Sequence, residues 1–143
     1  MRSEFLELPH AIGEAIARSI KAFADDWHPP LQCHLWYHDQ PLWFVWQRDS
    51  WGIIRRVQVG AYRMPDGQEE LRFVPGVFFE DSKEKLLRAT EISASAVILC
   101  KVSELKGEAS NAEYIVKSKL GEAWNAAQNL PDKFTWTTPL RLA

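Results

Sequence analysis

The histidines and tryptophans between residues 27 and 51 are the side chains of this sequence best suited to metal binding, catalysis or recognition. Five of the seven tryptophans lie between Trp27 and Trp51, and His34 and His38 lie among them. Large aromatic side chains dominate both protein cores and binding interfaces. The stretch is therefore either the centre of the core or a binding surface.

A metal site is the first chemistry to consider for His34 and His38, since Cys33 is adjacent and His28 lies upstream. A spacing of four residues brings two imidazoles together on a helix, as in zinc sites, but separates them by about 13 Å along a strand. Apolar and polar residues alternate here, which indicates a strand. We therefore expect no metal ion and no cofactor.

Local motifs of catalysis are absent from the sequence. It contains no Gly-x-Ser-x-Gly elbow, no phosphate-binding glycine loop and no His-Glu-x-x-His pair. Cys100 lies in an apolar run, which is typical of an inert core thiol. The carboxylate pairs Asp25-Asp26 and Glu69-Glu70 have no recognisable acid/base partner. The sequence thus favours a non-enzymatic protein and leaves an enzyme open.

Composition and charge restrict the class of protein. The 143 residues suffice for one ordinary domain, so we interpret residues 1–143 as a single domain. The net charge of −2 gives no electrostatic footprint for a nucleic-acid backbone, which makes nucleic acid an unfavourable partner. The sequence shows no signal peptide, no membrane-spanning run and no disulfide framework. We expect a cytoplasmic protein that does not contact a membrane.

The elements that must position these residues begin with an amphipathic helix. Apolar residues recur every three or four positions from Ile12 to Trp27. Pro9 suits the first helical turn, and Pro29-Pro30 ends the pattern. The single apolar stripe predicts that this helix packs on another element.

Four strand patterns follow the helix, separated by turn signals at Asp39-Gln40, Asp49–Gly52 and Met64–Gln68. Two-residue loops at the first two turns and a three-residue loop at the third give self-consistent registers. These registers place Phe44 and Trp46 on the face covered by the helix. The resulting pairs are Trp46 with Cys33, Phe44 with Val57, Val59 with Phe73, Ala61 with Leu71, and Arg63 with Glu69.

The opposite face of the predicted sheet mixes aromatic rings with guanidinium groups. Such a face suits a protein partner, because Trp, Tyr and Arg dominate the hot spots of interfaces. It would equally suit a covering helix that buries Trp36 with Trp43. The candidate binding residues are His34, Trp36, His38, Trp43, Arg56, Tyr62 and Arg72.

The pattern is less regular beyond Phe79. Asp81 and Glu84 predict the start of a helix, and the run Ala96–Val102 favours a buried strand over a continuation of that helix. Ser110 with Glu113 forms a capping box that predicts a second long helix, ended at Leu130-Pro131. Alternating residues at 134–138 suggest a short final strand.

The predicted fold is α+β, with an N-terminal helix packed on a four-stranded antiparallel meander, followed by a mainly helical C-terminal half with one or two further strands. We expect a binding or adaptor domain whose sheet face takes a protein partner or a second copy of the chain in a homodimer. One alternative is a small-ligand site or enzyme with a pocket ringed by His34, His38 and Arg56. Another is single-stranded nucleic-acid binding.

Overall fold

The computed structural model of the chain describes residues 4–35, 41–79, 90–106 and 109–132. Within these residues the protein is α+β, with two α-helices and one antiparallel sheet of seven strands. A single turn of 3₁₀-helix at Val102–Leu105 precedes the second helix. The elements in chain order are β1 (Glu4–Phe5), α1 (His10–Asp26), β2 (Gln32–His34), β3 (Leu42–Arg48), β4 (Ile53–Arg63), β5 (Glu69–Phe79), β6 (Thr90–Ala94), β7 (Ile98–Lys101) and α2 (Ala109–Asn129).

The hairpin of β4 and β5 is the centre of the sheet. Its two strands of eleven residues pair along their whole length, from Ile53 opposite Phe79 to Arg63 opposite Glu69. Beside β4 lie β3 and, at the far end, the short β1. Beside β5 lie β6 and β7, one at each end, and β2 forms the edge next to β3. The predicted meander from β2 to β5 is confirmed, and the sheet carries three more strands.

Both helices pack on the same face of the sheet. The apolar stripe of α1 and that of α2 meet the inward side chains of the central strands in one core. Each amphipathic helix therefore buries its apolar stripe within this common core. The alternative in which the C-terminal helix covers the other face is therefore wrong. Fully buried members of this core are Ile16, Ile20, Trp43, Val45, Val57, Val59, Phe73, Val116, Leu120 and Trp124.

The register of the central hairpin is the predicted one. Met64 and Gln68 close a three-residue loop through a hydrogen bond from the Met64 amide to the Gln68 carbonyl of 2.8 Å. Gly67 has a φ of 89°, the left-handed conformation that glycine adopts without a steric penalty. Val59 pairs with Phe73 and Arg63 with Glu69, as predicted.

The register of β3 differs from the predicted one by a single residue. The Asp49 amide donates a hydrogen bond of 3.0 Å to the Ile53 carbonyl, so three residues, rather than two, form the loop between them. Gly52 supplies the left-handed position, with a φ of 87°, and the Asp49 carboxylate accepts bonds from the amides of Trp51 and Ile53. A shift of one residue moves every side chain of a strand to the other face.

The shift exchanges the two faces of β3. Val45, not Phe44, lies opposite Val57, and Cys33 pairs with Val45 instead of Trp46. The prediction that Trp43 lies on the face away from the helices is consequently wrong, since Trp43 is fully buried in the core.

The described residues after β5 contain two strands, within the one or two predicted, but β6 lies where no strand was predicted. The favoured strand in the run Ala96–Val102 is confirmed by β7, and β6 extends the sheet before it. The long C-terminal helix is confirmed as α2. The predicted helix at Asp81 and the predicted strand at 134–138 lie outside the described residues.

Candidate functional site

The candidate site is the face of the sheet opposite α1 and α2, hereafter the second face. Neither described helix covers it, and most of its central side chains are half-buried. Alternation along the paired strands identifies the side chains that it carries. They are Phe5, His34, Phe44, Trp46, Arg56, Gln58, Tyr62, Glu70, Arg72, Val74, Phe78 and Leu99.

Arg56 lies at the centre of the second face, between two aromatic rings from the neighbouring strands. Its Cζ atom is 4.1 Å from the centre of the Phe78 ring and 5.3 Å from the centre of the Phe44 ring. Both distances are within the range of cation–π attraction. Burial lowers the pKa of Arg56, while the Glu91 carboxylate acts in the opposite direction. The surroundings therefore desolvate a positive charge on the sheet face that neither described helix covers.

The Arg56 guanidinium has no counter-ion in the described part of the chain. No carboxylate oxygen of these residues lies within 4.0 Å of it, and its buried Nε has no hydrogen-bond partner. A buried donor without an acceptor destabilises a fold by about 1 to 3 kcal/mol. Within the described residues the Arg56 guanidinium therefore has no acceptor, and a bound carboxylate would supply one at its terminal nitrogens.

The preceding residue, Arg55, has hydrogen-bond acceptors and a structural role. Its side chain extends from the face that the helices cover and donates hydrogen bonds to the carbonyls of Ala127 and Leu130 at 2.5 and 3.0 Å. It also pairs with the Asp132 carboxylate at 3.2 Å. Cations favour the carbonyl end of a helix, because the last carbonyls have no partner within it. Arg55 therefore fixes the end of α2 to β4.

Two glycines allow aromatic rings to lie flat on the second face. Gly76 pairs with Arg56, and a Cβ atom at Gly76 would be 2.9 Å from the Phe78 ring. A Cβ atom at Gly60 would be 2.7 Å from the Tyr62 ring. Rings that fold over glycine are a known way of covering bare backbone in a sheet. At Gly76, the missing side chain leaves room for Phe78 to reach the Arg56 guanidinium.

Tyr62 and Arg72 form a second group at the other end of the face. The Tyr62 ring stacks on Phe5, with centroids 5.0 Å apart and an angle of 26° between the planes. The Nε of Arg72 is buried without a hydrogen bond, and the nearest Glu70 oxygen is 3.6 Å away. Arg72 pairs with Gly60, four residues along β4 from Arg56. The backbone positions of the two arginines are therefore about 13 Å apart along the strand direction.

A cleft of about 490 Å³ adjoins the second face at the edge of the sheet. It is lined by the Pro29-Pro30 segment, by the end of β3 and by Ile53, and it shares Trp46 with the second face. His34 and Arg56 are not among its lining residues. The predicted ring of His34, His38 and Arg56 around a pocket is therefore not this cleft.

Four of the seven predicted site residues come together on the second face, and three do not. His34, Arg56, Tyr62 and Arg72 lie there, with the His34 ring 6.1 Å from that of Phe44. Trp43 lies in the core, and Trp36 and His38 lie outside the described residues. The sequence reasoning missed Phe44, Trp46 and Phe78. The signal for Phe78 was Gly76, since a glycine inside a strand often marks a close approach by another group.

Two further properties of the described residues bear on function. Nowhere in this part of the chain do three or more His, Cys, Asp or Glu side chains cluster as metal ligands would. Neither α1 nor α2 is long and apolar enough to cross a membrane. Comparisons with protein-family models, with curated proteins and with solved structures found no match.

Proposed function

We propose that this protein is a non-enzymatic binding domain that holds a partner protein against the second face. The observation that carries the proposal is Arg56, a desolvated cation that lies against two aromatic rings and has no counter-ion among the described residues. Arginine and large aromatic residues supply most of the binding energy at protein interfaces. The face thus combines the residue types of a hot spot with an unsatisfied donor.

The second face is also rigid enough to bind without large rearrangement. Its central residues belong to β3, β4 and β5, which pair continuously. Binding is stronger when side chains need not be immobilised at the moment of association. The stacking of Phe78 on Arg56 and of Phe5 on Tyr62 already holds these side chains in place.

A separate partner is favoured over a second copy of the chain. In a symmetric dimer the same patch occurs on both subunits, so copies that meet with Arg56 near the symmetry axis bring two unpaired guanidinium groups together. A partner with a complementary charge has no such repulsion. A homodimer is the alternative, and a measurement of the oligomeric state distinguishes it from binding to a separate partner.

The test is quantitative capture of proteins from a lysate of the source cells on the immobilised domain. Wild type is compared with Trp46→Ser and Phe44→Ser, and with Tyr114→Ser as the matched control. Tyr114 is 74% exposed on α2, away from the second face. We expect one protein that wild type and Tyr114→Ser retain in equal amounts and that both second-face variants lose.

Circular dichroism of each variant confirms that it is folded, and sedimentation of the wild type measures its oligomeric state. Equal retention by the second-face variants would overturn the proposal, as would no specific retention at all. A wild-type dimer that becomes a monomer in Trp46→Ser would replace the partner with a second copy.

We include a cytoplasmic location in this proposal. Cys33 and Cys100 are both free thiols, and small proteins of oxidising compartments usually carry disulfides. Fractionation of the source cells with an antibody against the domain tests the location.

A further inference from the structure

We infer that the Arg56 guanidinium, which lies between the rings of Phe44 and Phe78, binds a carboxylate from an acidic side chain of the partner. The inference rests on the proposed function and names the chemistry that the second face recognises. It predicts a partner segment with an Asp or Glu among apolar residues.

Of the guanidinium nitrogens of Arg56, Nε is buried without a partner and Nη1 and Nη2 are not, so the terminal donors are the accessible ones. Phe44 lies in the strand on one side of β4 and Phe78 in the strand on the other. The Cζ atom of Arg56 lies over both rings. The N–H donors of a guanidinium lie in its plane, where they match the two oxygens of a carboxylate. The rings thus contact the guanidinium from the two neighbouring strands, while Nη1 and Nη2 remain for a ligand.

Charge distribution on the second face points to Arg56 rather than to its neighbours. Arg72 lies 3.6 Å from a carboxylate oxygen of Glu70, and Arg55 is satisfied by the end of α2. Glu91 acts on Arg56 electrostatically without forming an ion pair. Among the second-face residues that the structure describes, Arg56 is therefore the cation with the strongest need of an anion.

The surroundings favour a carboxylate on an apolar segment. The rings of Phe44 and Phe78 contact the guanidinium, and Trp46, which pairs with Arg56 across the strands, and Val74 are half-buried apolar residues of the same face. Apolar residues on either side of an acidic residue would bury against these side chains, and an ion pair is stronger where water is excluded. A highly charged or heavily hydrated ligand would lose this contribution.

The test uses blocked tripeptides as probes: acetyl-Val-Glu-Val-amide, its Gln counterpart and its phosphoserine counterpart. Binding is followed by the ¹⁵N and ¹H shifts of the Arg56 Nε–H group and by the fluorescence of the protein. We expect the Glu peptide to shift this resonance saturably and to bind about tenfold more tightly than the Gln peptide, as one charge-assisted pair would produce. Arg56→Lys should weaken the Glu peptide by a similar factor, and the matched Arg72→Lys should not.

Three results would overturn the inference: equal binding of the Glu and Gln peptides, tighter binding of the phosphoserine peptide, or no shift at Arg56. Its failure is separable from that of the proposed function. If Trp46→Ser loses the captured protein while no peptide shifts Arg56, the second face binds a partner by other chemistry. If the Glu peptide binds at Arg56 while no protein is captured, the carboxylate site stands and the protein partner does not.

Discussion

Arg55 and Arg56 follow one another in β4 and extend to opposite faces of the sheet: Arg55 donates to two helix carbonyls and a carboxylate, whereas Arg56 has no acceptor among the residues that the structure describes. The same residue type therefore has two roles at adjacent positions. Arg55 joins the end of α2 to the sheet, whereas Arg56 carries a charge that the described chain does not use. Stability measurements can distinguish the two roles.

Arg55→Met should destabilise the domain by about 2 to 3 kcal/mol, because two helix carbonyls lose a charged donor and Asp132 loses its partner. Arg56→Met should leave the stability unchanged within about 1 kcal/mol or raise it, since the lost cation–π contacts are offset by removal of an unsatisfied buried donor. Urea unfolding of the two variants measures both. A loss of stability at Arg56 as large as that at Arg55 would make Arg56 a structural residue.

Gly76→Ala should disturb the ring that contacts Arg56. The new Cβ would lie 2.9 Å from the Phe78 ring, so the ring must move, at a cost of about 1 to 3 kcal/mol for overpacking. In a Phe78→Leu background, which removes the ring, the same substitution should cost clearly less. A double-mutant cycle by urea unfolding gives the coupling, and equal costs in both backgrounds would show that Phe78 is not what Gly76 accommodates.

The register of β3 illustrates how much of the fold and of the site sequence reasoning can predict. Both helices, the four strands of the meander and the register of the β4–β5 hairpin followed from periodicity and from one strong turn signal. The Asp49–Gly52 turn allowed two loop lengths, and periodicity could not choose between them because every residue from Leu42 to Trp46 is apolar. Trp43, Phe44 and Trp46 were consequently assigned to the wrong face.

Two further features of the fold depend on tertiary contacts and could not be predicted from the periodicity of the sequence. The contact of Arg55 with Ala127 joins residues that are far apart in the chain, and no local periodicity encodes it. The same holds for α2, which lies beside α1 rather than across the sheet, since an apolar stripe does not specify its partner.

The register predicts opposite effects for two nearby tryptophans. Trp43 is fully buried in the core, so Trp43→Ala should destabilise the domain by about 3 to 5 kcal/mol through loss of burial and creation of a cavity. Trp46 is half-buried on the second face, and Trp46→Ser should cost the fold much less while abolishing partner capture. Thermal unfolding followed by circular dichroism compares the two variants, and a larger loss for Trp46→Ser would contradict the β3 register.

Stability should fall in alkaline solution because of the buried thiol of Cys100. Burial raises the pKa of Cys100 to about 11 from an ordinary value of 9.0, with Glu104 adding to the rise. Below pH 9 the thiol is protonated in both folded and unfolded chains and contributes nothing that varies with pH. Between pH 9 and 11 the unfolded chain releases its proton first, so the free energy of unfolding falls by up to about 2 to 3 kcal/mol.

Cys100→Ala removes this titration, although the small cavity it leaves lowers stability at every pH. Lysines and tyrosines also titrate in this range, so the informative quantity is the difference between wild type and Cys100→Ala at each pH. That difference should shrink as the pH rises from 9 to 11 in urea unfolding experiments. A difference that stays constant would mean that the Cys100 thiol ionises equally easily in the folded and unfolded chains, and that the core around it admits the charge.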